Sequence, residues 1–456
     1  MKNYKRYLNL TLVAEMRKLF STLTVSPFRK NGKFTGIGLL IWLTVAVSGQ
    51  DMEYARQVIG TLASPGFAGR GYVAGGNDKA AAYLKRQYAA WGLKPFGKDY
   101  EQPFEITVNT FPSTMKLLVD GVELVPGEDY IVDPASPSFS GTREVYVADR
   151  QDLLDDSRLK IIKEKAAGKI LLLDGSRPET DDRERIQQMT QAVKLLKQDS
   201  LSTIAAVIEY SPAKMTWYIS KTQAARPAFT VKKELDLKNV RKIGIKVKAR
   251  MTTCTTRNIV GYIEGTAQPD SFLTITAHYD HLGMMGKKAC FYGANDNASG
   301  VSMLLNLAKY FAAHPHKYSI AFIATSAEEV GIVGAKYFAE HPLFDLNKIR
   351  FLVNFDMAGT GDEGIQVVNG SVYQEQFDRM TKINGEKHYL PAIRIRGESC
   401  NSDHCPFYQK GVPSFFIYTL GGSNAYHDIY DRSDTLPLTA FDHYFKLAVD
   451  FFNTFE

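Results

Sequence analysis

Residues 318–331 read YSIAFIATSAEEVG, an unbroken apolar run that ends in two adjacent carboxylates, Glu328 and Glu329. A run of this length with no polar alternation reads as a strand buried on both faces, the kind found in parallel sheets covered by helices. Two like charges at the end of such a strand are costly unless something positive answers them. The rest of the chain has to supply that charge.

Working outward from this strand, the chain from residue 256 onward alternates strand and helix patterns. RNIVGYIEG (257–265), SFLTITAHYD (271–280), IRFLVNFDMAG (349–359) and PSFFIYTLG (413–421) read as strands. ASGVSMLLNLAKYFAA (298–313), VGAKYFAEHP (333–342) and LTAFDHYFKLAVDFFNTF (438–455) read as helices. The expected fold class is α/β, a mixed, mostly parallel sheet sandwiched by helices. In such sheets, sites form beyond the carboxyl ends of the strands. That edge collects His278, Tyr279, Asp280 and His281 after one strand, Glu328 and Glu329 after the next, Asp356 after a third, and His427 with Asp428 after a fourth. Asp296, in GANDNASG, opens a helix between them.

Each of these residues has an ordinary reading alone. A strand-end histidine is usually a hydrogen-bonded surface residue, Asp296 could cap its helix, and a Glu pair at a helix start suits the dipole. Together at one edge they point to metal. Imidazoles with carboxylates suit zinc, and a two-metal site shares a carboxylate between ions about 3.5–4 Å apart. One glutamate of the pair can then hold metal while its neighbour acts as a general base. A divalent metal pair is the positive charge that the first stretch demands.

The middle of the chain reads differently. MKLLVDGVEL (115–124), REVYVAD (143–149), KILLLDG (169–175), IAAVIEY (204–210), PAFTVKK (227–233) and IGIKVKA (243–249) are short strand patterns, with a helical stretch at 182–198. They suggest a smaller β-rich domain inserted at 106–250. On this reading 51–105 and 251–456 form one domain. Upstream, NDKAAAYLKRQYAAWGL (77–93) reads as an amphipathic helix capped by Asn77 or Asp78 and ended by Gly92. The glycines ahead of it lack the preceding strand and the GK[ST] of a phosphate loop, and read as loop-shaping.

Composition bounds the rest. A chain of 456 residues exceeds one compact core, and 45% hydrophobic with 23% charged residues is globular usage. The net charge of +6 is concentrated: residues 1–50 carry eight basic residues and one acid, +7, so the remainder is −1. No electrostatic footprint for nucleic acid is left. The basic stretch leads into GIGLLIWLTVAVSG (36–49), which suits a signal-peptide core and is short for a membrane span. The expectation is export, to a periplasm or outside the cell, with an anchor by residues 36–49 if the segment stays uncleaved. Translation from Met16 is the alternative start. Export permits disulfides, and of Cys254, Cys290, Cys400 and Cys405 the last two are close enough to pair.

The segments TAHYDHLG, YGANDNASGVSMLL, TSAEEVGIVGAKYF, NFDMAG, SDHCPF and AYHDIYDRSDT resemble, in this order, the motifs of the bizinc aminopeptidase family. Glutamate carboxypeptidase, the transferrin receptor ectodomain and glutaminyl cyclase share that fold. LASPGFAGRGYVAGGNDKAAAYLKRQYAAWGLKP looks like the family's N-terminal region, and the likeness spans about residues 53–100 and 256–456. ADRQDLL, GKILLLDG and ARPAFTV make the insert resemble a protease-associated domain.

The resemblance implies two zinc ions. His278 and Asp356 would bind one, Glu329 and His427 the other, and Asp296 would bridge them. Glu328 would be the general base that activates a metal-bridging water. Asp280 would orient His278, as metal-bound imidazoles require, and Tyr426 is a candidate donor to the oxyanion. Asp403 and His404 would support the site, and His281 is given no role. No ligand position is missing, which favours hydrolysis over a receptor-like or single-zinc protein. The implied substrates are peptides with a free N-terminus. A carboxypeptidase, with Arg394 and Arg396 over the pocket, a glutaminyl cyclase and a non-catalytic binding protein are the alternatives.

Overall fold

The structure is a computed structural model and describes residues 51–176 and 182–455. The expected signal or anchor segment lies outside the described residues. Among the described residues no helix is long and apolar enough to cross a membrane.

The opening stretch is a strand. Tyr318–Thr325 is buried along its whole length, and it lies in the middle of an eight-stranded mixed sheet. The strands in chain order are β1 (Glu101–Thr110), β2 (Arg250–Ile263), β3 (Gln268–His278), β4 (Tyr318–Thr325), β5 (Ile349–Phe355), β6 (Gly364–Val368), β7 (Ile393–Ile395) and β8 (Ser414–Leu420). In space they run β1-β2-β4-β3-β5-β8-β6-β7. β4, β3, β5 and β8 are mutually parallel. β1, β2 and β6 attach antiparallel at the flanks.

Helices cover both faces. α1 (Met52–Leu62), α2 (Gly76–Ala90), α3 (Gly300–Ala313), α5 (Gln374–Lys387) and α7 (Phe441–Asn453) pack on the side chains of Leu273, Ile275, Phe322, Phe351 and Val353. Residues of opposite parity, Ile323 and Leu352, face α4 (Val333–Glu340) and α6 (His404–Gln409) through Phe338 and Phe407. α3 has no polar face over its first turns, because every residue from Gly300 to Ala308 is buried. Its Leu304, Leu305, Leu307 and Phe311 each contribute about 1.5–3 kcal/mol by leaving water.

A second eight-stranded sheet is drawn entirely from residues between Lys116 and Val247. The expected boundary at 105/106 falls inside β1, which stays paired with β2 as far as Thr110 opposite Arg250. The second sheet's core is shared with the first domain: Phe111, Leu117, Trp217 and Ile245 cluster with Leu282, Met285 and Phe291.

One local expectation changes. Asn77 does not cap α2. The residue before the helix is Gly75 at φ 67°, with no side-chain cap, and the Asn77 amide instead donates to Ser326 Oγ at 3.0 Å. The strand β6 and the helix α5 carry no clear signal in the sequence, since their apolar residues are too few to set a period. Cys400 and Cys405 form a disulfide, and Cys254 and Cys290 are free thiols.

Candidate metal centre

β4, β3 and β5 end at the same edge, with His278 in register with Thr325. That register brings His278, the Glu328–Glu329 turn and Asp356 together. Asp296 comes from the turn before α3, and His427 from the loop after β8.

The five residues expected to hold metal converge. His278 Nε2 is 3.3 Å from Asp296 Oδ1 and 3.3 Å from Asp356 Oδ1. His427 Nε2 is 3.0 Å from the other Asp296 oxygen, Oδ2, and 3.2 Å from Glu329 Oε2. Asp296 therefore presents one oxygen to each of two imidazole–carboxylate pairs. His278 Nδ1 lies 3.2 Å from the Asp280 carbonyl oxygen. A carbonyl only accepts, so Nδ1 carries a proton and Nε2 is the nitrogen that faces the carboxylates; against the effect of burial, Asp356, Asp280 and Asp296 raise the His278 pKa well above the usual histidine range.

The two glutamates of the opening stretch sit in different fields. Burial pushes both carboxyls up. His427 and His281 more than offset this for Glu329, which is brought down to about 2 despite Asp296 nearby. Glu328 stays well above the usual carboxylate range: burial raises it, and Glu329, Asp403 and Asp356 outweigh the attraction of His278. His427 is pushed up to about 11, since Glu329 and Asp296 overcome the effect of its burial.

Asp280 places its carboxylate 3.7 Å from His278 Nδ1, beside the imidazole it was expected to orient, and makes further contacts. Its carboxylate accepts the backbone N–H groups of Glu328 at 3.1 Å and Glu329 at 3.4 Å, and the Tyr72 hydroxyl at 3.2 Å. It fixes the glutamate turn, while its carbonyl fixes His278. Tyr426 stacks on the His427 ring, with centroids 4.0 Å apart and planes 16° apart. Asp403 accepts from Thr325 Oγ1, and His404 from α6 reaches the Ser399 carbonyl at 2.7 Å.

Sequence reasoning missed three residues. His281, given no role, is fully buried, with Nδ1 2.7 Å from Glu329 Oε1. Its place three residues after His278 at the same strand end was a usable signal. Arg70, from the segment read as loop-shaping, is completely buried. It donates to the carbonyls of Leu62, Tyr279, Tyr292, Gly293 and Asp296, clamping the chain on either side of the site. A long-range contact of this kind leaves no local pattern. Asp431, within the quoted AYHDIYDRSDT, accepts the backbone N–H of Asn295 at 2.7 Å and of Asp296 at 3.0 Å.

The residues fit zinc. Buried carboxylates (Asp296, Glu329 and Asp356) gather with imidazole nitrogens, and two groups of ligand atoms lie within 4.8 Å of one another: His278, Asp296 and Asp356, and His281, Asp296 and Glu329. Nitrogen and oxygen donors of this kind are zinc's own. His281 Nε2, His427 Nδ1 and Asp403 Oδ1 are buried without a hydrogen-bond partner. An anionic cluster with spare donor atoms is what a cation would relieve.

Residues 258–452, which carry every residue of the cluster, match the model of Peptidase family M28. The chain is 32% identical over 212 residues to Aminopeptidase YwaD of Bacillus subtilis, covering 44% of each chain. It is 28% identical over 229 residues to a Glutamate carboxypeptidase 2 homolog of Caenorhabditis elegans, covering 42% of this chain and 28% of that one. The chain spans less than half the length of these curated relatives. The fold matches a zinc aminopeptidase from Bacillus subtilis at a TM-score of 0.63 and 20% identity, over 88% of this chain and 94% of that one. It also matches an aminopeptidase from Aneurinibacillus at 0.58 and 20% identity, over 88% and 93%.

Proposed function

We propose that the protein is a two-zinc aminopeptidase that hydrolyses the N-terminal peptide bond of peptides. The observation that carries this reading is Asp296, whose two carboxylate oxygens face two separate imidazole–carboxylate pairs. His278 and Asp356 would hold one zinc, His427 and Glu329 the other, and Asp296 both. Zinc bound there supplies Lewis acidity, polarising the scissile carbonyl and making a water acidic.

The remaining work belongs to the chain's own groups. Glu328 has a carboxyl raised toward the range useful for proton transfer. It takes the proton of the attacking water and gives it to the leaving nitrogen. Asp280 holds the two backbone N–H groups that aim Glu328 and Glu329 in different directions. Partial burial and the carboxylates Asp296, Glu329 and Asp356 push the Tyr426 phenol pKa up, so its O–H is available to donate to the oxyanion.

The carboxypeptidase alternative has less support: Arg394 is exposed and paired with Glu363 at 3.2 Å, and Arg396 reaches the Tyr418 hydroxyl. The duplicated ligand pairs favour two metals over the single zinc of a cyclase. The test is release of free amino acid from unblocked and N-acetylated dipeptides, with and without a chelator. Chelator-sensitive cleavage of unblocked substrates alone supports the aminopeptidase. Cleavage of acetylated substrates would support the carboxypeptidase. No cleavage with zinc present would overturn both.

A further inference from the structure

The loop 211–227 of the second sheet reaches the metal centre. The Trp217 backbone N–H donates to the His427 carbonyl at 2.9 Å. The Trp217 indole donates to the Val132 carbonyl at 2.8 Å and stacks on Phe291, centroids 4.8 Å apart. Lys214 pairs with Asp428 at 3.1 Å. The next residue along this anchored backbone is Tyr218. Its ring meets the His427 imidazole edge-on, centroids 4.9 Å apart and planes 68° apart, yet Tyr218 is 49% exposed. Tyr426, on the face of the same imidazole, is 40% exposed. Two large aromatic residues, one from a loop of each sheet, thus stand half in water against a buried candidate ligand. An aromatic ring on a fixed backbone is an apolar contact surface that loses little freedom on binding.

The charges of the centre give a substrate its direction. On the His278 side, Asp356 lies 3.3 Å from His278 Nε2, and Asp403 accepts from Thr325, the residue in register with His278, and keeps a second buried oxygen with no partner. A substrate's α-ammonium is attracted to that side. The peptide then leaves past His427, toward Tyr218.

We propose that Tyr218, contributed by the second sheet, is a specificity-determining residue that contacts the side chain of the peptide's second residue and favours apolar and aromatic groups there. This rests on the aminopeptidase reading for its chemistry, and on the anchored, exposed ring for its location.

The test uses the zinc-loaded full chain with the dipeptides Leu-Gly and Leu-Phe. Tyr218→Ala is expected to lower kcat/KM for Leu-Phe at least about tenfold, chiefly through KM, and to leave Leu-Gly within about twofold. Tyr218→Phe, which keeps the ring, is expected to retain the preference, and bound zinc should be equal in all three proteins. Equal losses on both dipeptides, no loss on either, or a loss that follows the first residue in a Phe-Gly against Ala-Gly comparison would overturn the proposal. If the wild type cleaves neither peptide, the aminopeptidase reading fails by itself. Calorimetric titration of the same dipeptides then reads the contact: Leu-Phe binding weakened about tenfold by Tyr218→Ala supports it. Equal affinities in the two proteins, or no binding of Leu-Phe to the wild type, overturns it.

Discussion

Glu328 and Glu329 are adjacent in the chain and opposite in character. One is held ionised by His427 and His281, while burial among like charges pushes the other above the usual carboxylate range and makes it the better proton acceptor. Glu328→Gln should therefore keep bound zinc near the wild-type level and lose about 10²–10⁴ in kcat, the usual contribution of a positioned base. Glu329→Gln should lose zinc first and activity with it. Metal analysis beside steady-state kinetics separates the two, and swapped phenotypes would reverse the roles. A second residue-scale prediction concerns His404, buried with one nitrogen on the Ser399 carbonyl. Burial takes its pKa from 6.5 down to about 4. The folded state thus favours the neutral ring, and this stability is fully present above pH 6.5. It is lost as pH falls toward 4, a cost of about 3 kcal/mol in all. Urea midpoints of the wild type should drop through that window more steeply than those of His404→Gln. Parallel pH profiles for the two proteins would exclude His404 as the source.

At the scale of elements, the centre depends on turns that strand patterns do not describe. Gly293, ahead of α3, has φ +60°. A Cβ there would lie 2.1 Å from the Asp296 carbonyl oxygen and 2.4 Å from His281 Cδ2. Gly293→Ala must displace the turn that carries Asp296, in a conformation that L residues adopt at a cost. It should lower both zinc affinity and thermal stability; intact zinc affinity would show that the turn can yield elsewhere. The strands were legible because parallel, doubly covered strands are apolar throughout, and β3, β4 and β5 read so plainly that their carboxyl ends located the centre. β6 and α5 were not legible. β6 is five residues long, and only Phe377 and Met380 of α5 are buried, so neither has a period to detect.

For the whole molecule, the second sheet is coupled to the first. Its core includes Leu282, Met285 and Phe291, residues that belong to the chain just after His278. Calorimetry of the full chain should give one cooperative transition, since the second core does not close without residues of the first domain. Two resolved transitions, with the first leaving zinc in place, would show the second sheet to be an independent unit. Chelation should lower that single transition, because a ligand bound only by the folded state stabilises it by mass action. The coupling also bears on chemistry, since the loop that touches His427 comes from the second sheet.

The sequence by itself determined the strands, the edge at which they end, and the histidines and carboxylates gathered there, because burial on both faces and the placing of charge at strand ends are written locally. The tertiary structure decided the rest. It divided the two carboxylate oxygens of Asp296 between two imidazoles, turned Asp280 toward the glutamate turn, brought His281 to Glu329, and set Arg70 on five carbonyls, four of them more than 200 residues away. These are contacts between residues far apart in sequence, or orientations fixed by backbone hydrogen bonds. No periodicity encodes them, because the partner's position exists only once the sheet has closed.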